Sequence, residues 1–97
     1  MKTSELTGAA LDWAVAKAIG EYKPVAVPSY STDWAQGGPI IEREYIDTEY
    51  QLGDCVWVAM LQDNPYEQYG PTPLIAAMRC YVASKLGDTV EIPEALT

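Results

Sequence analysis

The chain has 97 residues, 48% of them hydrophobic and 21% charged, a composition typical of one small globular domain rather than of a disordered segment. Its formal net charge of −8 disfavours direct binding of nucleic acid through phosphate contacts. Because no apolar run approaches the roughly 18–20 residues of a membrane span and the first five residues lack the features of a signal peptide, we expect one soluble domain over residues 1–97 with no membrane association.

A first helix is predicted over residues 7–19, which are rich in Ala and Leu and place apolar side chains at i, i+4 and i+7. Gly20 is positioned to end this helix, and either Ser4 or Thr7 can cap its start. Proline on both sides of residues 25–27 then predicts an extended segment and argues against a central strand.

The next segment, residues 29–38, is predicted to be a polar loop that carries helix-capping side chains. The pair Gly37 and Gly38 is expected to break any helix that begins in this loop. A short helix is predicted over residues 39–45, with Pro39 in its first turn.

Two strands are predicted next, over residues 45–50 and 55–61, and the connection of residues 51–54 is short enough for a hairpin. The second strand is almost entirely apolar, which indicates burial on both faces and hence helices on both sides of a sheet. The elements together predict an α+β fold, a small α-β-α sandwich with a short antiparallel sheet flanked by helices.

The last third of the chain predicts a polar loop over residues 63–70 and then a helix over residues 73–86, capped by Thr72 and ended by Gly87. This helix is apolar on most of its circumference, so we expect it to be central or to pack at an interface, and a homodimer is possible. Residues 90–92 alternate in polarity and are compatible with an edge strand.

The sequence offers little catalytic chemistry. It has no His, and it lacks a phosphate-binding loop and a dinucleotide-binding motif. Its two cysteines, Cys55 and Cys80, are predicted to be buried thiols, and no metal or cofactor is expected. We therefore predict that the protein is not an enzyme. The weaker alternative is a metal-dependent enzyme that uses Asp33, Glu42 or Glu44.

Two predicted loops, residues 30–34 and 64–70, combine aromatic rings with hydrogen-bonding groups. This combination suits a planar ligand. Arg79 is embedded in an apolar helix, and three interpretations are open. Its side chain extends towards solvent, or it pairs with a buried carboxylate, or it faces an anion in a cleft. The predicted ligand-binding residues are Tyr30, Ser31, Thr32, Asp33, Trp34, Tyr66, Tyr69 and Arg79.

Three parts of the chain resemble a known family. They are TGAALDWAVA at residues 7–16, YSTDW and GPIIE at residues 30–34 and 38–42, and PLIAAMR at residues 73–79. In this order they resemble the small tailed-phage and prophage accessory proteins of the NinX-like family of unknown function, also called the phage ABA-sandwich domain. The resemblance covers nearly the whole chain. It implies an α-β-α sandwich expressed in the host bacterial cytoplasm, and it supplies no catalytic residues.

The resemblance also implies a role, since small phage proteins without enzymatic machinery commonly blunt host defences, an argument by analogy. We therefore expect a counter-defence or host-modulating binder that engages a small nucleotide-like ligand through its aromatic loops. The alternative is an acidic inhibitor that binds a host protein, which the net charge of −8 motivates.

Overall fold

A computed structural model of the chain describes residues 1–21, 23–62 and 64–96, with the side chains of residues 64–66 outside this description. The helices of the described residues are α1 (Gly8–Ile19), α2 (Trp34–Glu44) and α3 (Pro73–Leu86), with short 3-10 turns at Thr3–Glu5 and Glu94–Leu96. The strands β1 (Ile46–Gln51), β2 (Val56–Leu61) and β3 (Asn64–Gly70) form one antiparallel sheet in the order β1-β2-β3. The predicted α+β class, with a short antiparallel sheet flanked by helices, is confirmed.

The first helix matches its prediction. Thr7 occupies the N-cap position in extended conformation, but its side chain makes no capping hydrogen bond. Gly20 ends α1 with a φ of 123°, a left-handed value that favours glycine, and its N–H donates to the carbonyls of Ala16 and Lys17. The following segment around residues 25–27 forms no strand, as the flanking prolines predicted.

The second helix begins five residues earlier than predicted. The Asp33 carboxylate accepts a hydrogen bond from the N–H of Ala35 at 3.0 Å, and this cap starts α2 at Trp34. The helix then continues through both glycines and Pro39, so the prediction that the glycine pair breaks it is wrong. It ends at Tyr45, which adopts the left-handed conformation with a φ of 55°.

Gly37 has a packing role instead of a helix-breaking one. It is buried against the start of α3. A Cβ atom at this position would overlap the main-chain oxygen of Tyr30 and lie 2.6 Å from Cδ1 of Leu74. The missing side chain therefore allows α2 to approach its neighbours closely, which outweighs the low helix propensity of glycine.

The first hairpin is confirmed, because β1 and β2 pair from Ile46 opposite Leu61 to Gln51 opposite Val56. The predicted loop over residues 63–70 is wrong, since Asn64–Gly70 is the third strand. This strand lies at the edge of the sheet, with a register shift near Leu61. Proline and polar residues are tolerated at an edge and beside a bulge, which is why the sequence of β3 resembles a loop.

The layering of the domain centres on α3, which packs across all three strands and carries α1 and α2 on its other sides. Its predicted central position is confirmed. The main helical contacts to the described sheet come from α3 and, at β1, from α2. On the sheet face opposite the core residue Ala59, Val58 is only 1% exposed, and Glu49 and Tyr69 are its partners on the neighbouring strands.

The tail pairs with the other end of the chain. Thr89 forms an isolated bridge with Lys2, and the N–H of Val90 donates to the Met1 carbonyl at 2.9 Å. The prediction that residues 90–92 add an edge strand to the sheet is wrong, because the main chain of the first residues takes those hydrogen bonds. None of the described helices is long and apolar enough to cross a membrane.

Candidate functional site

The predicted ligand-binding residues divide between two separate grooves. The first, called the Trp34 groove, has a volume of about 190 Å³ and is lined by Ser31, Thr32, Trp34, Thr72, Leu74 and Ile75. The second, called the Arg79 groove, has a volume of about 390 Å³ and is lined by Ser4, Cys55, Val56, Glu67, Gln68, Tyr69, Gly70, Pro71 and Arg79. Tyr30 and Asp33 are neighbours in sequence of residues that line the Trp34 groove. The prediction for Tyr66 concerns a side chain outside the described part of the structure.

The turn that forms one wall of the Trp34 groove is fixed by main-chain hydrogen bonds. The N–H groups of Thr32 and Asp33 donate to the Ser29 carbonyl at 3.3 and 2.9 Å. The N–H of Ser31 donates to Oδ1 of Asp12 in α1 at 2.8 Å, which attaches the turn to the first helix. Asp33 then caps α2, so its carboxylate is engaged in starting the helix.

The Trp34 groove places an exposed aromatic ring beside a buried hydroxyl. Trp34 is 54% exposed, although a tryptophan in a small domain usually buries its large apolar surface. Ser31 is 1% exposed, and its Oγ has no hydrogen-bond partner among the described residues. An unpartnered buried hydroxyl is uncommon in folded proteins and calls for an explanation, which a bound polar group would supply.

The Arg79 groove contains a guanidinium that is held by main-chain oxygens. Nε of Arg79 donates to the carbonyl of Leu6 at 2.8 Å, and Nη1 donates to the carbonyl of Tyr69 at 2.7 Å. The ion pairs of the described residues do not include Arg79, so pairing with a buried carboxylate is not what holds this side chain. Burial lowers the pKa of Arg79, but the group stays charged at neutral pH because its ordinary value is so high.

The exposed ring of Tyr69 lies in the same groove and is tethered at its far end. Its hydroxyl donates to the Glu67 carboxylate, and this hydrogen bond is the main cause that raises the pKa of Tyr69. The Arg79 groove therefore offers a cation, a neutral phenol and one carboxylate. A guanidinium has five N–H donors, and the two carbonyls take two of them, which leaves donors for an anion.

Two of the acidic residues considered as metal ligands, Asp33 and Glu44, contact other groups of the protein. Glu44 pairs with Nε of Arg43 at 3.1 Å and with Nζ of Lys85 at 3.9 Å. Asp33 caps α2, and Glu42 is exposed. Among the residues that the structure describes, no three potential metal ligands cluster together.

The two cysteines differ in environment. Cys80 is buried in α3, and burial raises its pKa to about 11. Cys55 is exposed in the turn between β1 and β2, with a left-handed φ of 54°. The prediction that both thiols are buried is wrong for Cys55, because the apolar residues that follow it belong to β2 and the cysteine itself precedes the strand.

A further cleft was not anticipated from the sequence. It has a volume of about 400 Å³, lies between α1 and the segment before α2, and is lined by Ala9, Asp12, Trp13, Pro24, Val25, Ala26, Val27, Ser29 and Leu96. We call it the Asp12 cleft. The sequence did contain one relevant feature, the two prolines that keep the segment before α2 extended. No local pattern indicated that this segment lies over α1.

The fold and these grooves define a small α+β domain in which a three-stranded antiparallel sheet packs on a central helix and open clefts surround the core. The chain belongs to the family described as Bacteriophage P22, NinX, whose family model matches residues 19–85. It is thus a phage accessory protein, and the resemblance seen at residues 30–34, 38–42 and 73–79 is confirmed, while residues 7–16 precede the matched region. None of the curated protein sequences matches the chain.

Proposed function

We propose that this protein is a non-enzymatic binder of a small nucleotide-like ligand, and that it modulates the host or counters its defences in the host bacterial cytoplasm. The observation that carries the proposal is the unpartnered, buried Ser31 hydroxyl beside the exposed Trp34 ring in one groove. A planar base would stack on the indole in the groove that Ser31 also lines, and a shift of the Ser31 side chain would bring its hydroxyl to the polar edge of the base.

The dimensions of the Trp34 groove favour a flat group. Its volume of about 190 Å³ is smaller than the clefts that enclose whole drug-sized ligands, which measure about 300–1,000 Å³. A single heteroaromatic ring system suits such a space, with the remainder of the ligand outside it. Leu74 and Ile75 add apolar surface to the lining of this groove.

The Arg79 groove supports the same class of ligand with different chemistry. A half-buried guanidinium with no carboxylate partner among the described residues is unusual in a chain of net charge −8, and it suits phosphate or carboxylate. Pro71 lines this groove and its neighbour in the chain, Thr72, lines the other, although the two grooves share no lining residue. A base suits the Trp34 groove, and an anionic group suits the Arg79 groove.

The proposed role in the host rests on analogy with other small phage proteins and on this ligand class. A small phage protein that binds a nucleotide-like signal can lower its free concentration without any chemical step. The sequence offers no His for general acid–base catalysis or nucleophile activation, which supports binding over catalysis.

The direct test is calorimetric titration with nucleoside monophosphates and cyclic dinucleotides. We expect at least one to bind, and we expect Trp34→Ala to weaken it about tenfold, since stacking contributes about 1–3 kcal/mol per base. Tyr45→Ala is the matched control, because Tyr45 is 80% exposed and lines neither groove. No binding of any of these ligands, or equal binding by Trp34→Ala, would contradict the proposal.

The Ser31→Ala variant distinguishes an effect on protein stability from an effect on ligand affinity. Because its hydroxyl has no partner among the described residues, removing it should leave the free energy of unfolding unchanged or slightly increased. The same change should weaken a ligand that bonds the hydroxyl. A large loss of stability would instead show that the hydroxyl has a partner within the protein.

A second candidate function, inhibition of a basic host protein, is favoured by one observation. Asp47 and Glu49 are exposed in β1 and pair with Met60 and Val58, which places both carboxylates on the sheet face opposite the core residues Ile46 and Ala59. Capture from host lysate should then return a basic protein, and Asp47→Asn with Glu49→Gln should weaken its binding. Binding that is insensitive to salt would argue against this candidate.

A further inference from the structure

The Asp12 cleft has no part in the proposed function. It lies between the first half of α1 and the segment over residues 24–29, away from both grooves in its lining residues. Its volume of about 400 Å³ falls within the range of small-molecule sites.

The walls of the cleft are mainly apolar. Trp13, Val27 and Leu96 are partly buried, and Pro24 adds a rigid apolar surface beside them. Val25, at the rim, is 81% exposed, an unusual position for a large aliphatic side chain. A surface of this kind favours the ring or hydrocarbon part of a ligand.

Among the described residues of the cleft lining, Asp12 is the charged one. One of its oxygens, Oδ1, accepts the Ser31 N–H at 2.8 Å, and the ion pairs of the described chain do not include it. A carboxylate has two oxygens and about four acceptor positions, so this single bond leaves capacity for another donor. The charge lies beside apolar walls, where an opposite charge is favoured more strongly than in water.

The wall opposite α1 carries several backbone restraints. Pro24 and Pro28 fix their own φ angles, and the N–H of Tyr30 donates to the Pro28 carbonyl at 3.0 Å. Between the prolines Ala26 has a left-handed φ of 50°, which residues with a Cβ rarely adopt. Strained residues of this kind concentrate at ligand sites, and a restrained segment loses less entropy than an unrestrained one when a ligand binds.

We propose that the Asp12 cleft binds a small organic cation, with a protonated amine against the Asp12 carboxylate and an apolar ring against Trp13 and Val27. This site is separate from the grooves proposed for the nucleotide-like ligand. It binds a cation, whereas the Arg79 groove suits an anion. Neither proposal depends on the other.

Three probes that share a phenyl ring and differ in one group test the proposal: phenethylamine, 2-phenylethanol and 3-phenylpropionate. Nitrogen-15 correlation spectra would follow the indole N–H of Trp13 and the main chain of Ala26 during titration of the full chain. We expect phenethylamine to bind with shifts at both positions, the alcohol to bind at least tenfold more weakly and the carboxylate not to bind.

The matched variant is Asp12→Asn, which keeps an oxygen to accept the Ser31 N–H and removes the charge. We expect it to reduce phenethylamine binding to the level of the alcohol, while Trp34→Ala leaves phenethylamine binding unchanged. Absence of amine binding, equal binding of the three probes, unchanged binding by Asp12→Asn, or shifts that centre on Trp34 would each overturn the proposal. Shifts at Trp13 that depend on protein concentration alone would assign the cleft to a second copy of the chain and overturn it as well.

Discussion

The Asp12 carboxylate and the main-chain N–H of Ser31 are joined by a hydrogen bond of 2.8 Å that connects α1 to the turn before α2. Asp12 lines the Asp12 cleft, and Ser31 lines the Trp34 groove. One bond across 19 residues of sequence therefore links the two candidate sites.

Removal of this bond should cost stability. In Asp12→Ala the Ser31 N–H loses its acceptor, and we expect a decrease of about 1–3 kcal/mol in the free energy of unfolding. Asp12→Asn retains an acceptor oxygen and should lose less than about 1 kcal/mol. Urea unfolding of both variants at neutral pH measures the difference, and equal losses would show that the charge matters more than the hydrogen bond.

The two neighbouring glycines of α2 should respond in opposite directions to alanine. A Cβ on Gly37 would lie 2.6 Å from Cδ1 of Leu74, so Gly37→Ala should lower stability by about 1–3 kcal/mol or more. A Cβ on Gly38 would meet Cε3 of Trp34 at 3.7 Å, an ordinary contact, and Gly38→Ala should raise stability by up to about 1 kcal/mol through helix propensity. Thermal unfolding of the pair checks the close packing of α2, and similar effects of both changes would refute it.

The residue that ends α2 is a further point of strain. Tyr45 is left-handed with a φ of 55°, and its side chain is 80% exposed, so little packing would be lost on its removal. Tyr45→Gly should increase the free energy of unfolding by about 1 kcal/mol, because glycine adopts this conformation without the steric cost. Tyr45→Ala keeps the Cβ and should show no such gain, and a gain of equal size in both variants would point to the ring instead.

The two thiols should differ strongly in reactivity. The thiolate is the reactive form, and a pKa of about 11 leaves roughly one in a thousand Cys80 groups ionised at pH 8. Cys55 is exposed, so a thiol-specific reagent should label one cysteine rapidly in the folded protein and the second only after denaturation. Cys55→Ser should abolish the rapid phase, and two rapid phases in the native wild type would contradict the burial of Cys80.

Local signals in the sequence were sufficient for α1, the β1–β2 hairpin and α3, where helical or strand periodicity agrees with the residues that end each element. They were insufficient for β3, because an edge strand with proline carries the composition of a loop. They also failed at Gly37, where tertiary contact with Leu74 overrides helix propensity.

The candidate site shows the same division. The sequence indicated Ser31, Thr32 and Trp34 as one group, and the structure places them in one groove. It did not indicate that Arg79 and Tyr69 belong to a different groove, since that separation depends on β3 being a strand. The Asp12 cleft was missed because its two walls are distant in sequence and neither has a motif.

The most direct test of the central claim is native mass spectrometry of the protein purified from bacterial cells. We predict a species heavier than the 10.6 kDa chain by the mass of a nucleotide-like compound, and the loss of this species in Trp34→Ala but not in Tyr45→Ala. Wild-type protein that shows the mass of the chain alone, or a bound compound that Trp34→Ala retains in full, would contradict the assignment of the Trp34 groove as the ligand site.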